Sequence, residues 1–303
     1  MRALVIGYGS IGARHTRLLE QLGCNTCVLS AHASANARTY TRLDQALSSH
    51  RPEYVVISNP TAEHHSALTE LAAAGFDGIV LIEKPLFSKL LAPPENRFRH
   101  VFVGYNLRFH PILVALRGAL DNEQLIAVNA YVGQYLPDWR PGSDYRTSYS
   151  ASSARGGGVL RDLSHELDYV GMLAGSWKAV SALGGHFSTL DIDSDDVFAL
   201  LMQTERCPVV CIQMSYLDRM ARRQVVINTR RRTLAADFVS ATLSVDGVTT
   251  HHPCGRDDSY IAMHRAALAG EQDELCSLTV ASNTLALIEA AERSVQAQKW
   301  IQR

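Results

Sequence analysis

The chain lacks an excess of either charge: 29 Lys and Arg balance 30 Asp and Glu, for a formal net charge of −1. That balance excludes the broad electrostatic footprint of a nucleic-acid or membrane-surface protein. The densest basic run, Arg230-Arg231-Arg232, lies between strand-like segments and reads as a solvated turn. No apolar stretch approaches the ~20 residues that cross a bilayer. At the amino end Ala3-Leu4-Val5-Ile6 is cut off by Gly7, too early for a signal-peptide core, so a cytoplasmic location is expected. Cysteine is sparse, with six among 303 residues. Cys24 and Cys27 make a C-x-x-C, and Cys207 and Cys211 lie close together, but neither pair has ligand-like neighbours. They read as small buried hydrophobes, and no metal site is expected. Internal repeats and low-complexity linkers are also missing.

What is present is an ordinary folded composition, 47% hydrophobic and 19% charged, long enough for about two domains of ~150 residues. The first third alternates strand and helix. Ala3–Ile6, Thr26–Leu29, Tyr54–Ser58, Ile79–Ile82 and His100–Gly104 are short apolar strands, and Ile11–Leu22 and Glu63–Ala74 have helical spacing. Unbroken apolar strands between helices predict an α/β unit, a parallel sheet covered on both faces. After about Asn106 the pattern changes. A helix at His110–Leu120 precedes longer alternating strands from Leu125 to Val245, interrupted by a helix predicted over Gly158–Leu173. Tyr260–Leu268 and Leu278–Gln298 read as closing helices. The expected architecture is a doubly wound parallel domain over 1–112, then an α/β domain with a large, mostly antiparallel sheet over 113–303. One face of such a sheet must be covered, so a homo-oligomer, dimer or tetramer, is expected.

Gly7-Tyr8-Gly9-Ser10-Ile11-Gly12 is a G-x-G-x-x-G that follows a strand and opens a helix, the context in which it holds a dinucleotide pyrophosphate. Gly7 permits the turn, Gly9 the close approach of phosphate, and Gly12 the packing of helix on strand. The acidic residue that would hold the ribose 2′-hydroxyl should end the second strand, ~20 residues on. Leu29-Ser30-Ala31-His32 stands there instead. Without a carboxylate to repel a 2′-phosphate, Ser30, His32 and Arg38 incline the reading to NADP, with NAD as the alternative.

Glu83-Lys84-Pro85 follows the strand Ile79–Ile82, where ligands of such sheets bind. An amine there suits the transfer of a hydroxyl proton during hydride movement; the plain alternative is a surface lysine before a proline turn. Asp162, His165 and Asp168 are spaced to share one face of the predicted helix, where they would orient and protonate a substrate oxygen. The alternative is a polar, solvent-facing stripe. The loop Tyr135–Arg146 gathers Asp138, Trp139, Tyr145 and Arg146, side chains suited to a polyhydroxylated or anionic small molecule.

In this order the pieces resemble one family, the glucose-fructose oxidoreductase / inositol dehydrogenase (Gfo/Idh/MocA) group. The resemblance rests on Gly7–Gly12 with Arg14-His15, Asn59-Pro60-Thr61 with His64, Glu83-Lys84-Pro85, Gly104-Tyr105-Asn106 with Arg108, and Gly156–Asp168. It implies bound NAD or NADP and hydride transfer at a sugar or cyclitol carbon, with no nucleic acid or membrane partner. Tyr8, Ser10, Ile11, Asn59, Thr61, His64, Glu83 and Lys84 would join the glycines and Ser30 around the cofactor. Tyr105 and Arg108 would join the loop residues around the substrate. Lys84, Asp162 and His165 would be catalytic. The family commonly writes the last pair D-x-x-x-H, whereas this chain reads Asp162-Leu163-Ser164-His165. Either the helix starts differently or Glu166 takes part. The Tyr135–Arg146 loop and Gly157–Glu166 are similar to a subgroup of bacterial surface-sugar pathways, including those of sialic-acid-like sugars.

The expected activity is thus NAD(P)-dependent oxidation or reduction of a sugar, sugar derivative or nucleotide-linked sugar, with Lys84 or His165 handling the proton. Two other classes stay open: a glycoside hydrolase or elimination enzyme that oxidises its substrate transiently, and a non-catalytic cofactor sensor.

Overall fold

The computed structural model describes residues 1–31 and 37–303. Its elements are, in chain order, β1 (Arg2–Ile6), α1 (Ser10–Gln21), β2 (Asn25–Leu29), β3 (Arg38–Tyr40), α2 (Leu43–His50), β4 (Tyr54–Ile57), α3 (His64–Ala73), β5 (Ile79–Ile82) and β6 (His100–Val103). Then follow α4 (Pro111–Ala119), β7 (Leu125–Gly133), α5 (Val159–Asp162), α6 (His165–Ala174), β8 (Trp177–Gly185), β9 (Val197–Thr204), β10 (Val209–Ser215), β11 (Arg222–Thr229), β12 (Thr233–Asp237), β13 (Thr242–Val245) and β14 (Val248–His251). The chain closes with α7 (Asp258–Ala269), β15 (Cys276–Ser277), α8 (Leu278–Ala297) and β16 (Ile301–Gln302).

Two compact units result, one of residues 1–109 and 256–282, the other of 110–255 and 283–303. The sequence divided the chain once, near residue 112; in the structure the segment Arg256–Ser282, read as part of the second domain, clusters with the first unit. The first unit holds a seven-stranded sheet in the order β15-β6-β5-β4-β1-β2-β3, parallel except for β15. Its core is built from Ala3, Val5, Val28, Val56, Leu81 and Phe102 of the strands, with Leu19 of α1 and Met263 and Ala267 of α7. Strands apolar on both faces are what a sheet covered on both sides requires. The doubly wound expectation is met.

The second unit holds a nine-stranded sheet in the order β14-β13-β12-β11-β7-β10-β9-β8-β16. It is antiparallel apart from the parallel pair β7 and β10. Its strands alternate: on β9, Phe198, Leu200 and Met202 are buried while Ala199 and Leu201 face outward. The single helix predicted over 158–173 is two. Gly158 has φ +117 and opens α5, which ends at Asp162; Leu163 and Ser164 turn the chain, and α6 begins at His165. Cys24, Cys27 and Cys207 are buried free thiols, and burial pushes Cys27 up to about 12. Arg231 and Arg232 sit in the turn after β11, largely exposed and close to Glu123.

Candidate functional site

In the first unit, parallel pairing aligns the strand ends. Ile6 pairs with Leu29 and Ile57, Ile57 with Ile82, and Ile82 with Val103. The residues that follow therefore share one edge of the sheet: Gly7, Ser30, Ser58-Asn59, Glu83-Lys84 and Gly104. Such edges are where open α/β sheets bind ligands.

The glycine turn is tight. Gly7 has φ +90, and a Cβ there would lie 2.6 Å from the Asn59 nitrogen. A Cβ on Gly12 would strike the Gly7 carbonyl oxygen and lie 2.9 Å from Ser58 Oγ, which itself donates to the Ile6 and Gly7 carbonyls at 3.0 and 3.1 Å. A Cβ on Gly9, by contrast, would meet nothing within 4 Å. Gly9 caps α1 with no side-chain hydrogen bond, so the first-turn N–H groups remain for an anion. Beside Tyr8 and Ser10, a cleft of about 500 Å³ extends along α1 past Arg14 and Arg17 to Arg256 and Asp257. Asp257 accepts from Arg17 at 2.7 Å. The open approach at Gly9, the uncapped helix and the buried Asn59 Oδ1, which has no hydrogen-bond partner among the described residues, together fit a dinucleotide. Ile11 is half-buried behind the turn.

Other residues named from the sequence are engaged within the protein. His64 is buried at the start of α3; its Nδ1 lies 3.1 Å from the Pro85 and Leu86 carbonyl oxygens, and its Nε2 lies 3.0 Å from that of Asn59. Burial holds its pKa below the ordinary imidazole value. It thus ties the turn after β4 to the turn after β5. Thr61 is buried in the intervening turn. Tyr105 and Arg108 are only 2% and 6% exposed. Ser30 donates its main-chain N–H to the Tyr40 carbonyl. Arg38 pairs with Cys27, two residues short of the sheet edge, and stacks on the Tyr40 ring at 5.3 Å. His32 lies outside the described residues.

Glu83 is buried, with Oε1 2.9 Å from His15 Nε2 and Oε2 accepting from the Lys84 main-chain N–H at 3.2 Å. Burial pushes this carboxyl up, but the His15 hydrogen bond, the Lys84 charge and the Lys84 main-chain N–H prevail and hold it below the usual range. Lys84 itself is half-buried.

In the second unit the break after α5 separates Asp162 from His165, so the two do not share a helix face. Asp162 is buried and accepts the Tyr216 hydroxyl at 2.7 Å; Tyr149 is a second hydroxyl partner. Burial first, and the Asp162 charge second, push both phenols well above their ordinary value. Tyr149 and Tyr216 were not singled out in the sequence, and nothing in their spacing marks them. Glu166 is fully buried with Arg223 Nε 3.0 Å from its Oε1, and Tyr169 is another partner. Its carboxylate is therefore engaged in the core. Asp168 is buried as well, which rules out the solvent-facing stripe.

The loop residues line a cavity of about 190 Å³ with Trp139, Arg140, Asp144, Tyr145, Ser148 and Ser150 among its walls. Trp139 donates to the Gln134 carbonyl at 3.2 Å and meets Tyr216 edge-on at 5.2 Å. The Tyr145 hydroxyl accepts the Asp191 N–H. Arg146 is paired with Asp144 at 2.9 Å, and Asp138 is exposed.

Family models match two stretches: "Oxidoreductase family, NAD-binding Rossmann fold" over residues 1–95 and "GFO/IDH/MocA C-terminal domain" over 114–235. Together they span more than two thirds of the chain. Comparison with curated protein sequences finds no significant match. Among solved structures, GenD2 from gentamicin A biosynthesis, in complex with NAD, is 21% identical with a TM-score of 0.81, over 100% of this chain and 96% of that one. Levoglucosan dehydrogenase in complex with NADH is 16% identical with a TM-score of 0.85, over 100% and 98%. The WlbA dehydrogenase from Bordetella pertussis, in complex with NADH and UDP-GlcNAcA, is 18% identical with a TM-score of 0.82, over 100% and 98%. At these identities the likeness is one of fold.

Proposed function

The chain belongs to the GFO/IDH/MocA oxidoreductase family, and from that premise we propose that it transfers a hydride between NAD(P) and a carbinol carbon of a sugar, sugar derivative or nucleotide-linked sugar. The observation that carries the proposal is the shared sheet edge in the first unit, where the open glycine turn and Lys84 follow in-register strands. When bound, the nicotinamide supplies the hydride acceptor or donor. The chain's own residues do the rest. Gly9 and the first turn of α1 take the pyrophosphate, with Asn59 beside them. Lys84 takes the substrate hydroxyl proton as the hydride leaves, or returns it in the reverse direction. Asp162, held by Tyr216 and Tyr149, and His165 orient the sugar. Trp139, Tyr145 and the polar loop walls supply stacking and hydrogen bonds of the kind a polyhydroxylated ligand takes. Ser30 brings no negative charge to the 2′ position, which supports acceptance of NADP as well as NAD. The structural neighbours, a levoglucosan dehydrogenase and a dehydrogenase in complex with UDP-GlcNAcA, support a sugar or sugar-nucleotide substrate.

The test is a screen of sugars and nucleotide sugars for change in reduced-nicotinamide absorbance, with Lys84→Met beside the wild type. Lys84→Met is expected to lower turnover by about a hundredfold or more while cofactor affinity stays within about threefold. Equal turnover in the two proteins would remove Lys84 from the chemistry.

The same reading extends to assembly as a homo-oligomer. Across the outer face of the large sheet, Ser181, Leu201, Cys211, Asn129 and Val226 stand side by side in register. They line an open groove of about 650 Å³ that also includes Leu183, which is 79% exposed. A face of this kind supports burial against a second copy.

A further inference from the structure

Behind Glu83 runs an unbroken string of buried polar side chains in the first unit. Tyr54 Oη lies 3.0 Å from His264 Nδ1, His264 Nε2 lies 2.8 Å from His15 Nδ1, and His15 Nε2 lies 2.9 Å from Glu83 Oε1. Tyr54, His264 and His15 are 0% exposed and Glu83 is 7%. The four residues come from β4, α7, α1 and the turn after β5. Gly104 leaves the room: a Cβ there would lie 2.9 Å from Glu83 Oε1.

The chemistry of the two ends fixes the direction of the string. A carboxylate only accepts, so His15 Nε2 carries a hydrogen. At the other end the buried Tyr54 hydroxyl has His264 Nδ1 as its hydrogen-bond partner, and the phenolic hydrogen is satisfied only if that nitrogen accepts. His264 Nε2 then donates to His15 Nδ1. Each ring carries one proton, on Nε2. The reverse polarity needs two protons on His15 and turns His264 Nδ1–H toward the tyrosine oxygen, which leaves the phenolic hydrogen without an acceptor among the described residues.

We propose that Tyr54, His264 and His15 are positioning residues that form a one-way donor relay ending on Glu83, which fixes the carboxylate against the Lys84 main-chain N–H. This rests on the reading of Lys84 given above. The helix α7, which follows β14 and belongs to the first unit, brings His264 to the relay. The titratable groups around Glu83 are His15 from α1, Tyr54 from β4, His64 from α3 and Lys84, with His264 behind His15. Burial holds His264 well below its ordinary pKa, in keeping with a ring that stays neutral.

The test is long-range proton–nitrogen NMR of the full chain with labelled histidine, together with the Glu83 carboxyl carbon signal. In the wild type both rings are expected as Nε2–H tautomers at neutral pH, and Glu83 is expected to titrate below ordinary carboxylates. His15→Phe should move that titration upward by at least about tenfold in proton concentration. His264→Phe should lower turnover about tenfold with nicotinamide affinity within about twofold, and His264→Gln, whose amide can still donate to His15, should recover most of it. An Nδ1–H or doubly protonated ring in the wild type overturns the relay, and that measurement needs no variant to fold. So does a His264→Phe protein that turns over like the wild type while Lys84→Met does not. If Lys84→Met retains turnover, the reading of Lys84 fails, and the tautomers still judge the relay.

Discussion

Asp195 is a residue whose surroundings, not its sequence context, set its role. Its Oδ2 accepts the Leu160 N–H at 2.9 Å, its carbonyl accepts that of Val159, and its side chain fills the space a Cβ on Gly158 would need. It thereby anchors the start of α5, which ends on Asp162. Burial pushes its pKa up to about 6. The sign follows from linkage: the folded state binds this proton more tightly than the unfolded chain, whose aspartates titrate near ~3.9. The group therefore lowers stability fully above the folded value, and the cost fades as pH falls from about 6 to about 4. Asp195→Asn keeps an oxygen for Leu160 and removes the charge. It is expected to gain about 1–2 kcal/mol at neutral pH, discounted for partial exposure, and nothing near pH ~4. Urea unfolding followed by circular dichroism at the two pH values measures this. A variant less stable at neutral pH would mean that the charged hydrogen bonds outweigh burial. At this scale the sequence was legible where chemistry repeats a local pattern, as in Gly7–Gly12 and Glu83-Lys84. It was silent on Tyr149, Tyr216, Asp195 and His264, because each gains meaning only from a partner distant in the chain.

Elements were more legible than their breaks. Short apolar runs bounded by turn residues marked β1, β4 and β5: Gly7 ends the first, Ser58-Asn59-Pro60 follows the second and Gly78 precedes the third, and their length and β-branched content set them apart from helices. Alternation marked β9, whose outward positions are exposed. The short edge strands β3, β14, β15 and β16 went unread, for two to four residues carry too little pattern. The break between α5 and α6 was unreadable because Val159–Ala174 contains no proline, and its only glycine, Gly171, lies beyond the break. What ends α5 is tertiary: Asp195 holds its start, Tyr216 holds Asp162, and Arg161 is paired with Glu292. The unusual spacing of Asp162 and His165 thus has a physical source, since the intervening turn replaces a continuous helix face.

At the scale of the molecule, hydrophobic pattern separated a parallel sheet from a mostly antiparallel one. It did not reveal that residues 256–282 return to the first unit, because α7 reads as an amphipathic helix wherever it packs. The outer face of the large sheet gives a prediction at this scale. Leu201 is 43% exposed in the middle of an in-register row. Leu201→Glu is expected to convert an oligomer to a monomer with unchanged circular dichroism, as read by light scattering on a sizing column. A wild type that is already monomeric at micromolar concentration would contradict the assembly. The central claim concerns the cofactor, and it meets its most direct test in titrations of NADH and NADPH followed by nicotinamide fluorescence, with Gly12→Ala as the control. The account predicts saturable binding of both nucleotides to the wild type, NADPH at least as tightly as NADH, and loss of binding in the variant, where the added methyl strikes the Gly7 carbonyl. A folded wild type that binds neither nucleotide would contradict it.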